Sequence, residues 1–283
     1  MMAWIKPNNN ETVKKEIQKV LCIGNSFSMN SFMYVYDICA SAGKDVVIGV
    51  AHQSGGDLME QWENLQNDEP ITAYRKWSKE NGFEDNSNPL LKNIIADEDW
   101  DIVILQQVST GSGDYSTFQP YLNNLTEYVK SNVSNNELRL GLNMTWAYSK
   151  NSTSRFQGIG FENQKEMYDS IVETYRIALK SNDFEILIPT GTAIQNGRAD
   201  VDLSTVGTDL TSDNAHLDEG YGMYIAGLTV AKTLFDVDII GGVEFRPNEA
   251  VAPDAYMAYL SKVVAANASE NPFKITALQN AQG

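Results

Sequence analysis

Two short segments of this sequence bring together residue types that can transfer an acyl group. The first is Gly24-Asn25-Ser26, which follows the apolar run Val20-Leu21-Cys22-Ile23. The second is Asp213-Asn214-Ala215-His216, which holds one of only two histidines in 283 residues. A serine hydroxyl is a weak nucleophile; it needs a base within hydrogen-bond reach, and that base needs a third group to orient it. His52 and His216 are the only imidazoles. Asp213, three residues before His216 on what reads as a tight loop, can accept from Nδ1–H and leave Nε2 facing the serine. His52 has no such carboxylate and reads as a partly buried histidine bonded to backbone. Among the serines, Gly24 and Asn25 supply the turn that would project Ser26, whereas Ser28 reads as the start or cap of the next helix.

Acyl transfer also needs hydrogen-bond donors for the developing oxyanion, each worth about 2.7–4 kcal/mol of barrier. The Ser26 backbone N–H is one candidate. The Gly55-Gly56 pair is a second, since glycine lets backbone approach a substrate closely. A side-chain amide from Gln106 or Gln107 is the third. Asn25, Gly55, Gln107, Trp146 and Tyr148 are the candidate substrate contacts; exposed faces of the two aromatics would stack on sugar rings.

These residues must be positioned by regular elements. Apolar runs predict strands near 18–23, 45–51, 101–106, 137–144 and 184–189. Amphipathic spacing predicts helices near 30–42, 56–66, 88–97, 117–132, 162–181, 219–235 and 252–266. Strands alternating with helices predict a parallel sheet of about five strands covered on both faces, hence an α/β fold. Ile102-Val103-Ile104-Leu105, apolar at successive positions, fits a strand buried on both sides. The stretches 67–87 and 107–116 read as loop insertions. The chain reads as one domain, with a core over about 18–240 and a C-terminal helical extension over 241–283. The polar clusters follow the predicted strands, where open α/β sheets gather reactive groups.

Composition removes several function classes. With 37 acidic and 21 basic residues the net charge is −16, and no Lys/Arg cluster appears, so nucleic acid and anionic membrane surfaces are poor partners. No apolar stretch approaches the ~20 residues of a bilayer span. Cys22 and Cys39 are too few for a disulfide framework or a zinc cluster, and read as a buried strand residue and one face of the following helix. No metal or cofactor is implied, and no phosphate-binding glycine motif follows the first strand. Met1 to Asn10 is polar and lacks the apolar core of a secretory leader. A periplasmic or secreted mature chain without its leader is the expected setting, with the cytoplasm as alternative.

Taken in order, Gly24-Asn25-Ser26-Phe27, the glycine loop after the second strand, the amide after the third and Asp213-x-x-His216 resemble the SGNH (GDSL-like) hydrolase superfamily. Several segments look more closely like an uncharacterised branch common in gut Bacteroidetes: 100–107, 144–148, Gly191-Thr192-Ala193-Ile194-Gln195-Asn196 and 213–217. The resemblance covers roughly residues 18–240. It implies a flavodoxin-like three-layer α/β/α fold and a metal-independent esterase mechanism. Ser26 would be the nucleophile, His216 the base, Asp213 its orienting acid and Gly56 the oxyanion glycine. The sequence departs in the third block, where Leu105-Gln106-Gln107-Val108-Ser109 replaces the usual Gly-x-Asn-Asp; Gln106 then stands as the third donor. The same resemblance points to small-molecule or glycan esters as substrates, with acetyl or other short acyl groups removed from carbohydrate. The competing expectation is a non-catalytic glycan-binding protein on a degenerate hydrolase fold.

Overall fold

The computed structural model describes residues 17–182 and 184–276; the polar stretch Met1 to Asn10 lies outside them. The first apolar run forms β1 (Gln18–Gly24), and after one intervening residue the chain enters α1 (Ser26–Phe32) and then α2 (Val35–Ser41). Next come β2 (Val46–His52), α3 (Leu58–Asn67), β3 (Ala73–Ser78), β4 (Gly82–Ser87) and α4 (Leu91–Ile95). The middle of the chain supplies β5 (Ile102–Leu105), α5 (Tyr121–Asn132), β6 (Arg139–Asn143), α6 (Thr153–Gly158) and α7 (Gln164–Ser181). The remainder is β7 (Ile186–Ile188), α8 (Thr190–Ala199), α9 (Tyr221–Phe235) and α10 (Ala255–Glu270).

One seven-stranded sheet runs in the order β4-β3-β2-β1-β5-β6-β7. The five strands from β2 to β7 are parallel; β3 and β4 are antiparallel. The fold class is α/β, with the sheet flanked by helices. All four residues of β5 are buried, as expected where helices cover both faces of a parallel strand. Helices α1, α2, α8, α9 and α10 pack on one another, while α3 packs on α4 and α5 as a separate group. Every residue of α9 from Tyr221 to Ala231 is buried, so this helix lacks a polar face and is enclosed by neighbours. One hydrophobic cluster extends from Val20 to Ala268; α10 belongs to it and packs on α8 and α9. No described helix is long and apolar enough to cross a membrane. Cys22 and Cys39 are free, buried thiols.

Three expectations are corrected. The sheet has seven strands, because 67–87 contains the β3–β4 hairpin in addition to connecting loop. β4, Gly-Phe-Glu-Asp-Asn-Ser, is an exposed edge strand, so it lacks the apolar run that marks its buried neighbours. The helix expected over 30–42 begins earlier, at Ser26, and is interrupted at Met33-Tyr34. Finally, Thr190-Gly191-Thr192 opens α8, a helix that the apolar spacing did not show.

The start of α8 rests on backbone. A Cβ on Gly191 would lie 2.1 Å from the Thr145 carbonyl oxygen, while the Gly191 N–H donates to Met144 O at 2.9 Å. Gly191→Ala is therefore expected to destabilise the fold by about 1–3 kcal/mol or more, read as a lower urea midpoint with an unchanged slope.

Candidate active site

One residue turns the chain from β1 into α1. Asn25 caps the helix: its Oδ1 accepts from Phe27 N at 2.9 Å. Its Nδ2 donates to Gly56 O at 2.9 Å, and its own N–H donates to Gln106 Oε1 at 3.0 Å. Each group therefore ties the turn to a different element, with Gly24 O accepting from Gln53 N at 3.0 Å as a fourth tie. Ser26 follows as the first helical residue, half-buried. Ser28 is fully buried; its hydroxyl donates to Gln106 Oε1 at 2.7 Å and accepts from the Cys22 thiol at 3.3 Å. It does not cap the helix, and it has no open path to a substrate.

Ser26 Oγ lies 2.9 Å from His216 Nε2, and His216 Nδ1 lies 2.8 Å from Asp213 Oδ2. The second carboxylate oxygen, Oδ1, accepts from the backbone N–H of His216 at 2.7 Å and of Ala215 at 2.9 Å. Burial pulls the Asp213 carboxyl upward. The ring and backbone donors of His216, with Ala215, outweigh it and hold the group at about 2. The loop is a compact hairpin, closed by Ser212 N to His216 O at 2.9 Å and a Thr211–Leu217 bridge. Asn214 at its tip has φ 72°, a conformation asparagine tolerates better than most residues. Beneath the hairpin, Arg198 and Asp209 form an ion pair at 3.3 Å with both side chains 2% exposed. The Asp209 carboxylate also accepts from Gln164 Nε2 at 2.6 Å and Lys150 N at 3.1 Å, while Arg198 Nη1 donates to Ala147 O at 2.8 Å.

Several expected site residues occupy other roles. Gln106 is fully buried. Its oxygen accepts from Asn25 N and Ser28 Oγ, and its amide nitrogen donates to Gln107 O. One amide hydrogen is committed to Gln107 O and the side chain is fully buried, so it presents no exposed donor to an oxyanion, which corrects its assignment as the third donor. Gln107 is likewise occupied: Oε1 accepts from Leu58 N at 3.1 Å and Val108 N at 2.8 Å, and Nε2 donates to Thr117 O at 2.8 Å. Asn25, 1% exposed, is a turn clamp and not a substrate contact. Trp146 is fully buried and stacks on Phe27 with ring centroids 4.2 Å apart and planes 1° apart. Its Nε1 donates to Ala215 O at 2.7 Å. Phe27 in turn meets the His216 ring edge-on, centroids 5.6 Å apart. Tyr148, 4% exposed, bonds Ser109 Oγ at 2.9 Å. Neither aromatic offers a free face to a sugar.

Gly55 is exposed at φ 66°, with nothing within 4 Å of where a Cβ would stand. Gly56 is buried, its N–H closing a turn onto Gln53 O at 3.2 Å. The Ser26 N–H meets no acceptor among the described residues. His52, at the end of β2, is not bonded to backbone as expected: both ring nitrogens are buried without a partner. Burial lowers its pKa, assisted by Arg75.

The family model described as a domain of unknown function, DUF4886, matches residues 19–268. The chain belongs to the DUF4886 family. A crystal structure of a DUF4886 family protein from Bacteroides uniformis is 31% identical, with a TM-score of 0.84 over 93% of this chain and 98% of that one. A putative SGNH hydrolase from Slackia heliotrinireducens is 18% identical, with a TM-score of 0.55 over 77% of this chain and 99% of that one. The second likeness shows the fold: this DUF4886 chain has the SGNH-hydrolase architecture. No curated protein matches its sequence.

Two outcomes follow from the buried polar groups. Gln106→Met strands the Asn25 N–H and the Ser28 hydroxyl, so a stability loss of about 1–3 kcal/mol is expected in urea melts. Asp218, whose carboxylate accepts from Gly220 N at 2.9 Å and Gly222 N at 3.0 Å, is raised by burial from 3.8 to about 6 despite those bonds. The folded state therefore holds a proton that the unfolded chain releases. Asp218 favours folding progressively as pH falls from above 6 towards 3.8. Melts across that window should show the advantage of Asp218 over an Asp218→Asn variant growing as pH falls.

Proposed function

We propose that this chain is a serine esterase that removes acetyl or other short acyl groups from carbohydrates through an acyl-enzyme. The observation that carries the reading is the continuous pair of contacts Ser26 Oγ to His216 Nε2 at 2.9 Å and His216 Nδ1 to Asp213 Oδ2 at 2.8 Å. In this reading His216 Nε2 takes the Ser26 proton as Oγ attacks the ester carbonyl. Asp213 stays ionised and steadies the imidazolium that forms. The tetrahedral intermediate collapses as His216 passes the proton to the departing sugar oxygen. A water then attacks the acyl carbon as His216 takes its proton, and His216 returns that proton to Ser26 Oγ as the second tetrahedral intermediate collapses to the acid and free Ser26.

The oxyanion donors are backbone groups. The Ser26 N–H has no acceptor among the described residues; the Gly56 N–H is the second, and it exchanges its 3.2 Å bond to Gln53 O for the oxyanion. Gly55, exposed and without a side chain, leaves that backbone open to substrate. A net charge of −16 suits a neutral acylated sugar better than an anionic ester. The choice of carbohydrate rests on the resemblance to a branch of gut bacteria, since fold alone does not fix substrate. The buried amide of Gln106 favours a second reading, a non-catalytic glycan-binding protein with one oxyanion donor too few.

Hydrolysis of p-nitrophenyl acetate and acetate release from acetylated glycans separate the two. Ser26→Ala should lower turnover by roughly 10⁴-fold or more with the circular dichroism spectrum unchanged. Asp213→Asn should lower it by roughly 10⁴-fold through the wrong imidazole tautomer. Full activity in Ser26→Ala sinks the esterase reading. Oligosaccharide binding without turnover of any ester by the unaltered chain establishes the other.

A further inference from the structure

We propose that Asn30 is a positioning residue that sets the register between the serine-bearing helix and the histidine-bearing loop; the proposal rests on the esterase reading. Ser26 and Asn30 stand one turn apart on α1, at i and i+4, so both side chains leave the same face of the helix. That face meets two consecutive residues of a loop 190 positions away. Ser26 Oγ bonds the ring of His216 at 2.9 Å. Asn30 Oδ1 accepts from the Leu217 N–H at 2.9 Å. Two parallel contacts from one rigid turn fix both the distance and the rotation of the loop relative to the helix, whereas Ser26 alone would fix only a distance.

The other backbone groups of the loop show why Asn30 matters. The N–H groups of Ala215 and His216 are bound inside the loop by Asp213, and His216 O is bound inside it by Ser212. These bonds shape the hairpin without tying it to Ser26. From outside, Ser149 N and Ser152 Oγ bond Asn214 O, Arg155 Nη2 bonds Asp213 O, Trp146 Nε1 bonds Ala215 O and Asn30 bonds Leu217 N. Only Asn30 stands on the helix that carries the serine. Leu217 is 1% exposed and Asn30 8%, so water cannot readily replace the bond. Without it, the loop keeps its internal shape and its ties to the 146–152 segment but loses its backbone bond to α1, and a misplacement of about 1 Å relative to that helix is enough to cost roughly 100-fold in rate.

The test is turnover of p-nitrophenyl acetate by Asn30 variants together with crystal structures of the same proteins. Asn30→Leu, similar in size but without an acceptor, is expected to lower kcat roughly 10- to 100-fold while KM moves less than about twofold. Its Ser26 Oγ to His216 Nε2 separation is expected to exceed about 3.5 Å, beyond a hydrogen bond. Asn30→Asp keeps an acceptor oxygen for Leu217 N–H and is expected to restore kcat to within about threefold, which a packing role would not require. If Asn30→Leu does not fold, Asn30→Ser, too short to reach Leu217, takes its place with the same expected loss. Unchanged kcat with an unchanged separation overturns the proposal, as does an Asn30→Asp variant as impaired as Asn30→Leu. If the unaltered chain turns over no ester, the esterase reading has failed. The measured separation still decides whether Asn30 holds the two groups together.

Discussion

A strand that ends at Gly24 and a helix that begins at Ser26 leave one residue, Asn25, to reverse the chain, and the candidate site depends on how that residue is satisfied. Its backbone N–H, side-chain oxygen and side-chain nitrogen are each bound to a different partner: Gln106, Phe27 and Gly56. The turn thereby joins the ends of β1, β2 and β5 at one point. Aspartate at this position could cap the helix but would set a carboxylate against the Gly56 carbonyl oxygen. The asparagine in the Gly-Asn-Ser sequence thus has a local physical reason. A buried polar group left unmatched here would cost about 1–3 kcal/mol, enough to loosen the serine before any chemistry began.

The histidine side is built differently. Its hairpin is self-closed through Asp213 and Ser212, then seated on the Arg198–Asp209 ion pair, and finally aligned by Trp146 and Asn30. Aromatic packing continues the connection, since Phe27 lies between Trp146 and the His216 ring. The serine's own neighbour in sequence is therefore wedged against the histidine it faces. Buried ion pairs are weak contributors to stability in general. This one gathers the β6 loop, α7, α8 and the hairpin around a single carboxylate, which specifies an arrangement even where its net energy is small.

Much of this was legible in the sequence, and the failures have physical causes. The five parallel strands stood out because burial on both faces demands continuous apolar runs, as in Ile102-Val103-Ile104-Leu105. β4 did not, because an exposed edge strand has no such demand; the Asn81-Gly82 pair beside Trp77 and Phe83 was the available hairpin signal. Ser26, Asp213 and His216 were picked out by residue type and spacing, and the structure brings them within hydrogen-bond distance. Gln106 reads as an oxyanion donor, and Trp146 and Tyr148 as sugar contacts, because they follow strands, but position along the chain does not say which way a side chain points. The amide of Gln106 turns inward to Asn25 and Ser28, and Trp146 turns inward to Phe27. Asn30 carried no visible signal, since its partner is a backbone group far away in sequence.

The two cysteines carry one more consequence. Both are fully buried, and burial pushes each thiol up to about 12, so neither offers a thiolate at neutral pH. Cys22 sits under Ser28, directly below the turn that carries Ser26. Thiol reagents thus find neither cysteine while the sheet is closed, and the thiols at the centre of the molecule stay reduced and unpaired in either a reducing or an oxidising compartment.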